Sequence, residues 1–314
     1  MIKQPYGDKV LEEHLGKIDK DGMTVFIMAD GRFRGAFFNG TRMINQMRAN
    51  HNLGLLETMI LGQAVLCGAL MIPMMKGKEH VTFRYDTNGP AAGFSVEADS
   101  TGYVRGYIFQ DRIPIEKPLE NWDLAPFFGD GTVTVIRNIE GEKAPHTGST
   151  EIKYRNIAQD LTWYFHQSEQ IDTAFNTGIK FDKEGRIVGA GGLFLQKVAD
   201  EGGINAPASK EESEDLLIRA ERAFSAMPSI GQWFADGGNR RDVIYGLFRE
   251  FDPKAVLERD IVFDCPCSAA GYVEAIKQLG KSELDDILEN DPDPLVISCK
   301  NCGTVYKIPK MLLR

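Results

Sequence analysis

An α+β fold is expected from three features of this 314-residue sequence. Strand and helix signals come in clusters rather than in strict alternation. One long apolar helical run lies in the N-terminal third. Two close cysteine pairs, Cys265/Cys267 and Cys299/Cys302, occupy the last fifty residues.

Residues 22–39 alternate apolar and polar around Asp30-Gly31, the pattern of a β-hairpin. Thr41 is placed to cap a helix reaching Asn50. The run 55–75 is apolar on every face but carries Glu57, Thr58 and Gln63, so it reads as a buried helix rather than a membrane span. Three strands are expected at 80–86, 92–98 and 103–109, with Gly89-Pro90 and Ser100-Thr101-Gly102 as turns. A further strand covers 132–138, an aromatic helix 156–167, and two more strands about 171–181 and 186–196. Of Trp163, Tyr164 and Phe165, at least two are expected in the core.

Composition changes after Ala199. Residues 200–222 are rich in acidic and small residues, including Asp200 and Glu201. Leu216, Leu217, Ala220, Phe224 and Met227, then Val243, Ile244, Leu247 and Phe248, recur at helical spacing. They describe an amphipathic helical linker, or helices packed permanently on the core. The tail beyond Val256 reads as a separate small unit: a short strand, Cys265-Pro266-Cys267, a helix 269–279 ended by Gly280, a second helix capped by Ser282, and strands around Cys299–Cys302. The expected organisation is a core (1–199), a helical linker (200–256) and a metal-binding unit (257–314).

The cysteines carry the chemistry. Two close pairs, with 31 residues between them, can fold back into a tetrahedral four-thiolate zinc site. Zinc–sulfur bonds of about 2.3 Å keep neighbouring sulfurs about 3.8 Å apart, whereas a disulfide needs about 2.05 Å. Metal binding and sulfur pairing therefore exclude one another. Structural zinc contributes on the order of 10–16 kcal/mol to folding, comparable to the total stability of a domain. A unit this small should unfold when its metal leaves. From the residues alone, a permanent zinc ribbon and a redox switch both remain open.

The net charge of −9 argues against a broad nucleic-acid surface. A zinc-ribbon module that binds nucleic acid is the competing reading, resting on Lys307, Lys310 and Arg314 and opposed by Asp285, Asp286, Glu289, Asp291 and Asp293. Four cysteines would close the zinc shell, so an enzyme is not expected. The N-terminal stretch is charged without an apolar core, so a cytoplasmic protein is expected, where thiols stay reduced.

Several stretches together resemble the heat-shock protein 33 family of redox-regulated chaperones. They are Leu61-Gly62-Gln63-Ala64, Gly102-Tyr103-Val104-Arg105-Gly106-Tyr107, Tyr164-Phe165-His166-Gln167-Ser168-Glu169-Gln170, Gly189-Ala190-Gly191-Gly192-Leu193 and Phe263-Asp264-Cys265-Pro266-Cys267-Ser268. The resemblance implies one zinc ion on Cys265, Cys267, Cys299 and Cys302 in an idle, reduced form. It implies oxidation to Cys265–Cys267 and Cys299–Cys302 disulfides with zinc release, dimerisation, and ATP-independent holding of unfolding client proteins. It implies no membrane and no nucleic-acid partner. The sequence departs from the family's common pattern where a proline often follows the glycine-rich strand; here Gln196-Lys197-Val198-Ala199 stands.

Other motifs are set aside. Gly189-Ala190-Gly191-Gly192 lacks the third glycine of a dinucleotide loop and any Walker lysine, and reads as a tight packing site. His166, Ser168 and Glu169 read as a helix terminus rather than a hydrolase site. Arg105 reads as a structural ion pair or a solvated strand residue, and Cys67 as a packing residue.

Overall fold

The computed structural model describes residues 1–115, 119, 121–198 and 210–314. The expected core–linker junction at 199/200, with Asp200 and Glu201, lies outside the described residues.

The chain enters through helix α1 (Lys9–Lys17), whose first turn is capped by the Asp8 carboxylate. The hairpin of β1 (Gly22–Met28) and β2 (Phe33–Asn39) follows as expected. Helix α2 (Thr41–His51) is capped at Gly40 rather than at Thr41. The Thr41 hydroxyl is engaged instead with Asn39 and with the backbone N–H of Ala190.

Helix α3 (Leu55–Met71) buries every residue except Leu55 and Gln63. The reason is its position between two sheets. It packs on β3 (Glu79–Thr87), β4 (Gly93–Asp99) and β5 (Tyr103–Ile108) on one side. After β6 (Gly131–Ile139), β7 (His146–Glu151) and α4 (Ile157–Tyr164), the chain supplies the other side with β8 (Thr173–Phe181) and β9 (Ile187–Lys197). Helix α3 with the short 3-10 turn after it is long and apolar enough to cross a membrane, but it is 89% buried inside the protein. Tyr164 and Phe165 are core residues and Trp163 is half-buried.

Helices α5 (Lys210–Ser225), α6 (Ile230–Ala235) and α7 (Arg240–Leu247), in the stretch expected to be a linker, cover the outer face of the β1–β2–β9 sheet. Alternation along the strands makes this possible. On β2, Ala36 and Phe38 face the central core, while Phe33 and Phe37 face the linker. Phe248 packs on Phe26 with ring centroids 5.4 Å apart, and Phe234 stacks on Phe37 at 5.0 Å. The glycines of β9 are the bed for α6. A Cβ on Gly189 would lie 2.0 Å from the Gly231 carbonyl oxygen, and one on Gly191 would lie 2.3 Å from the Phe234 ring. The glycine-rich stretch is thus a close-packing site, as expected, and not a phosphate loop.

The tail is less separate than its sequence suggests. Strand β10 (Lys254–Arg259) pairs antiparallel with β1, and β11 (Val262–Phe263) pairs parallel with β5. The two sheets therefore run β10-β1-β2-β9-β8 and β11-β5-β4-β3-β6-β7. Beyond them, α8 (Ala269–Lys277), α9 (Lys281–Asn290) and the hairpin β12 (Leu295–Ser298)–β13 (Val305–Ile308) enclose a small apolar cluster of Val273, Leu295, Tyr306, Ile308 and Leu313. Ser282 lies inside the first turn of α9 and does not cap it; Gly280 holds that position with no side-chain hydrogen bond.

Candidate metal centre

Each cysteine pair sits on a backbone knuckle that its neighbours shape. In the first, the Cys265 N–H donates to the Asp264 carboxylate at 2.7 Å, and Ser268 caps the following helix α8. In the second, which follows β12, Gly303 donates to the Cys299 carbonyl and Cys299 donates to the Thr304 carbonyl. Gly303 has φ +68°, and a Cβ there would lie 2.3 Å from the Asn50 carbonyl oxygen. Only glycine satisfies both the left-handed turn and this close approach to α2.

The knuckles bring the four sulfurs within 4.8 Å of one another. The Cys265 and Cys299 sulfurs are 3.8 Å apart, and those of Cys267 and Cys302 are 3.4 Å apart. All four are thiols in this structure. These separations are far longer than a disulfide bond and close to the edge of a tetrahedral thiolate shell. Four soft donors converging from two chain segments fit a metal ion. The fifth cysteine, Cys67, is fully buried in α3, and burial raises its thiol pKa, so it is an inert packing residue.

The site is built against the core. Strand β5 is its floor. Val262 donates to the Gly102 carbonyl at 3.0 Å and Asp264 to the Val104 carbonyl at 3.1 Å, both from the first knuckle's approach. Gly106 donates to the Asn301 carbonyl of the second knuckle at 3.0 Å. One strand edge thus holds both halves. The Asn50 amide adds a hydrogen bond to the Cys302 carbonyl at 3.1 Å, and the backbone N–H of Ile2 donates to the Thr304 hydroxyl at 3.2 Å. Tyr306 lies 3.3 Å from the Cys267 sulfur and donates to that residue's carbonyl at 2.9 Å.

Arg105 is the functional neighbour that sequence reasoning missed. It is in an ion pair with Glu97 (Nε–Oε2 2.6 Å), as expected. Its Nη1 also reaches the Cys265 sulfur at 3.5 Å. His80 lies 3.5 Å from the same Glu97 carboxylate. Hydrogen bonding to His80, then attraction to Arg105, holds the Glu97 pKa down to about 2. Hydrogen bonding from Cys302, then from Cys267, with a smaller contribution from the Arg105 charge, holds Cys265 well below the ordinary thiol range. His51 of α2 lies against the Phe263 ring, and burial lowers its pKa. The sequence hint to Arg105 was its place on β5 between Gly102 and Gly106, where a Cβ on Gly102 would lie 2.5 Å from the Asp260 carbonyl oxygen and one on Gly106 would lie 2.6 Å from that of Ser95.

The remaining motifs are accounted for. Glu169 accepts from the Tyr164 hydroxyl, and His166 lies 3.5 Å from Asp172 at the helix terminus. Neither forms a nucleophile–base pair.

A two-sheet α+β core bearing a C-terminal four-cysteine unit defines the class. The model of the Hsp33 protein family matches residues 21–309. A 33 kDa chaperonin of Agathobacter rectalis is 30% identical over 283 residues, covering 89% of this chain and 93% of that protein. One of Bacillus cytotoxicus is 26% identical over 294 residues, covering 93% and 96%. The crystal structure of the 33 kDa chaperonin (Hsp33 homolog) of Thermotoga maritima superimposes with a TM-score of 0.78 at 27% identity, covering 94% of this chain and 97% of that one. The chain belongs to the Hsp33 chaperone family.

Proposed function

We propose that this protein is a redox-regulated, ATP-independent holdase. Cys265, Cys267, Cys299 and Cys302 hold one zinc ion in the reduced, idle form. The bound ion supplies a structural tie between the two knuckles and keeps all four sulfurs as thiolates. The observation that carries this reading is that all four sulfurs converge while both knuckles dock on one edge of the core.

The switch follows from which sulfurs are joined. Sulfur contacts of 3.8 Å between Cys265 and Cys299 and of 3.4 Å between Cys267 and Cys302 run between the knuckles. Oxidation to Cys265–Cys267 and Cys299–Cys302 joins each knuckle to itself. Each pair forms one S–S bond and gives up two electrons to the oxidant, such as peroxide, which is reduced to water. Four negative charges on sulfur disappear and the donor set for the metal is gone. No sulfur–metal or sulfur–sulfur bond then links the halves, and the tail's small apolar cluster is too slight to hold alone.

The consequences reach the linker, which spans the proposed 200–256 between the core (1–199) and the redox unit (257–314). Its release uncovers Phe26, Phe33, Phe37, Leu193 and Leu195 on the sheet, and Phe224, Phe234 and Phe248 on the helices. Apolar surface of this kind binds unfolding clients and favours a homodimer. The protein acts in the cytoplasm and catalyses no reaction. The alternative, a nucleic-acid module, loses one of its three basic residues. Lys310 is buried and donates to the Leu288 carbonyl near the end of α9.

The experiment follows zinc release, free thiols and suppression of client aggregation in parallel during oxidation, with the disulfides mapped by mass spectrometry. Activity that climbs well ahead of metal loss, or equal activity in the reduced form, would end this reading.

A further inference from the structure

One ten-residue stretch, from β10 through β11, closes an edge of both core sheets. β10 covers the edge of β1 and β11 covers the edge of β5. Only Asp260 and Ile261 separate the two strands, and Cys265 follows β11 after one residue. The stretch therefore ties the linker to the metal centre.

Like the edge strand β7, β10 is held without burying a side chain. None of its six residues is buried, and Val256 and Leu257 are 53% and 51% exposed. It fills no side-chain pocket. Its pairing with β1 runs from Met23↔Arg259 to Ile27↔Lys254, with an irregularity between Val25 and Phe26. Side-chain ties are polar and peripheral: Glu258 reaches Arg240, Arg241 and the Thr24 hydroxyl, and the Tyr245 hydroxyl meets the Ala255 N–H at 3.4 Å. Three of those partners, Arg240, Arg241 and Tyr245, belong to α7 and go with the linker. A strand held chiefly through its main chain occupies a site that reads backbone rather than sequence.

We infer that the β1 edge is a client-binding site, with β10 as its resident stand-in. Once β10 leaves, an extended segment of an unfolded polypeptide adds antiparallel to Met23–Ile27 through main-chain hydrogen bonds. This occupant fits because the edge asks nothing of side chains, and unfolded clients share only a backbone. The flanking apolar face of the sheet, Phe26, Phe33 and Phe37, then receives whatever apolar side chains the segment carries. A free strand edge must be covered or it pairs indiscriminately. That accounts for covering it with a removable strand of the same chain. This inference rests on the proposed oxidative release of the linker.

The test is hydrogen exchange on the full-length protein, reduced and oxidised, with and without reduced carboxymethylated α-lactalbumin as the unfolded chain. Aggregation suppression is read on the same samples. Oxidation should lower protection of the β10-facing amides of residues 22–28 at least about tenfold, and the unfolded chain should restore it. A synthetic 253–260 peptide should bind the oxidised form and compete with α-lactalbumin, whereas the same peptide N-methylated at alternate residues should not. An oxidised protein that holds clients while these amides stay protected, or stay free with α-lactalbumin bound, overturns the edge site and spares the holdase reading. Protection that returns with protein concentration alone assigns the edge to a second copy of the chain and equally overturns it. Absence of any oxidative activation would overturn the holdase reading itself and the edge site with it.

Discussion

Truncating Phe248 should produce a chaperone that is active without oxidation. Phe248 is fully buried where the end of α7 meets β1, with its ring 5.4 Å from that of Phe26. Removing a buried phenylalanine costs about 3–5 kcal/mol in lost transfer energy and cavity formation. A conformer populated at roughly 0.1–10% lies about 1.4–4 kcal/mol above the ground state. The loss in Phe248→Ala thus exceeds a linker-docking gap of up to about 3 kcal/mol, for which the undocked state becomes the major one. The assay is aggregation suppression by the reduced variant, with zinc content and free thiols measured to show that the metal centre is intact. Exchange of 210–251 should rise in the same sample. Ile218→Ala, at a position 55% exposed on α5, should stay within about 0.5 kcal/mol and remain idle. If Phe248→Ala frees the linker, keeps its metal and still fails to hold clients, undocking is not what activates the protein.

Three further outcomes follow from single groups. Arg105→Ala removes the cation beside Cys265, a charge-assisted contact worth about 1 kcal/mol once partial solvent exposure is discounted. Zinc transfer to a chromogenic chelator should quicken roughly fivefold, with Arg105→Lys intermediate; an unchanged rate refutes the role. Asp160 is fully buried and accepts from the Tyr85 hydroxyl and from the N–H groups of Lys153, Tyr154 and Asn156. Asp160→Asn turns one acceptor into a donor and should cost about 2–4 kcal/mol in urea denaturation. Asp21, whose side chain is 11% exposed and accepts the N–H groups of Arg42 and Met43, is raised by desolvation to about 6. A carboxyl raised on folding contributes stability that is full below its unfolded value near 3.8 and is lost as pH rises through 6. Between pH 4 and 7 the wild type should therefore lose roughly 3 kcal/mol relative to Asp21→Asn, visible as converging and then crossing or separating urea midpoints. A pH-independent difference between the two proteins refutes it.

The meeting of the four cysteines was legible from spacing alone. A C-x-C and a C-x-x-C pair name their donors without a structure, and all four converge. So was α3, because a helix apolar on every face has to lie inside. Strand β3 showed the period of two that a half-buried strand requires, and β4 keeps it in its apolar and polar residues, whereas β2 is buried on both faces. Strand β7, by contrast, is an edge strand with no buried residue, so it carried no apolar alternation to read. The segment 254–259 was passed over as the start of a separate tail for the same reason: its exposed side chains gave no pattern, and its partner β1 lies some 230 residues away.

By itself, then, the amino-acid order determined the local periodicities, the helix that must be buried and the two cysteine pairs that converge, because each is a property of neighbours along the chain. Only the tertiary structure decided that strands from the tail complete both core sheets, that Gly189 and Gly191 are a seat for α6, and that Arg105 stands 3.5 Å from a sulfur 160 residues away. Those are contacts between distant segments, set by sheet pairing and close packing, and they leave no periodic trace in a sequence.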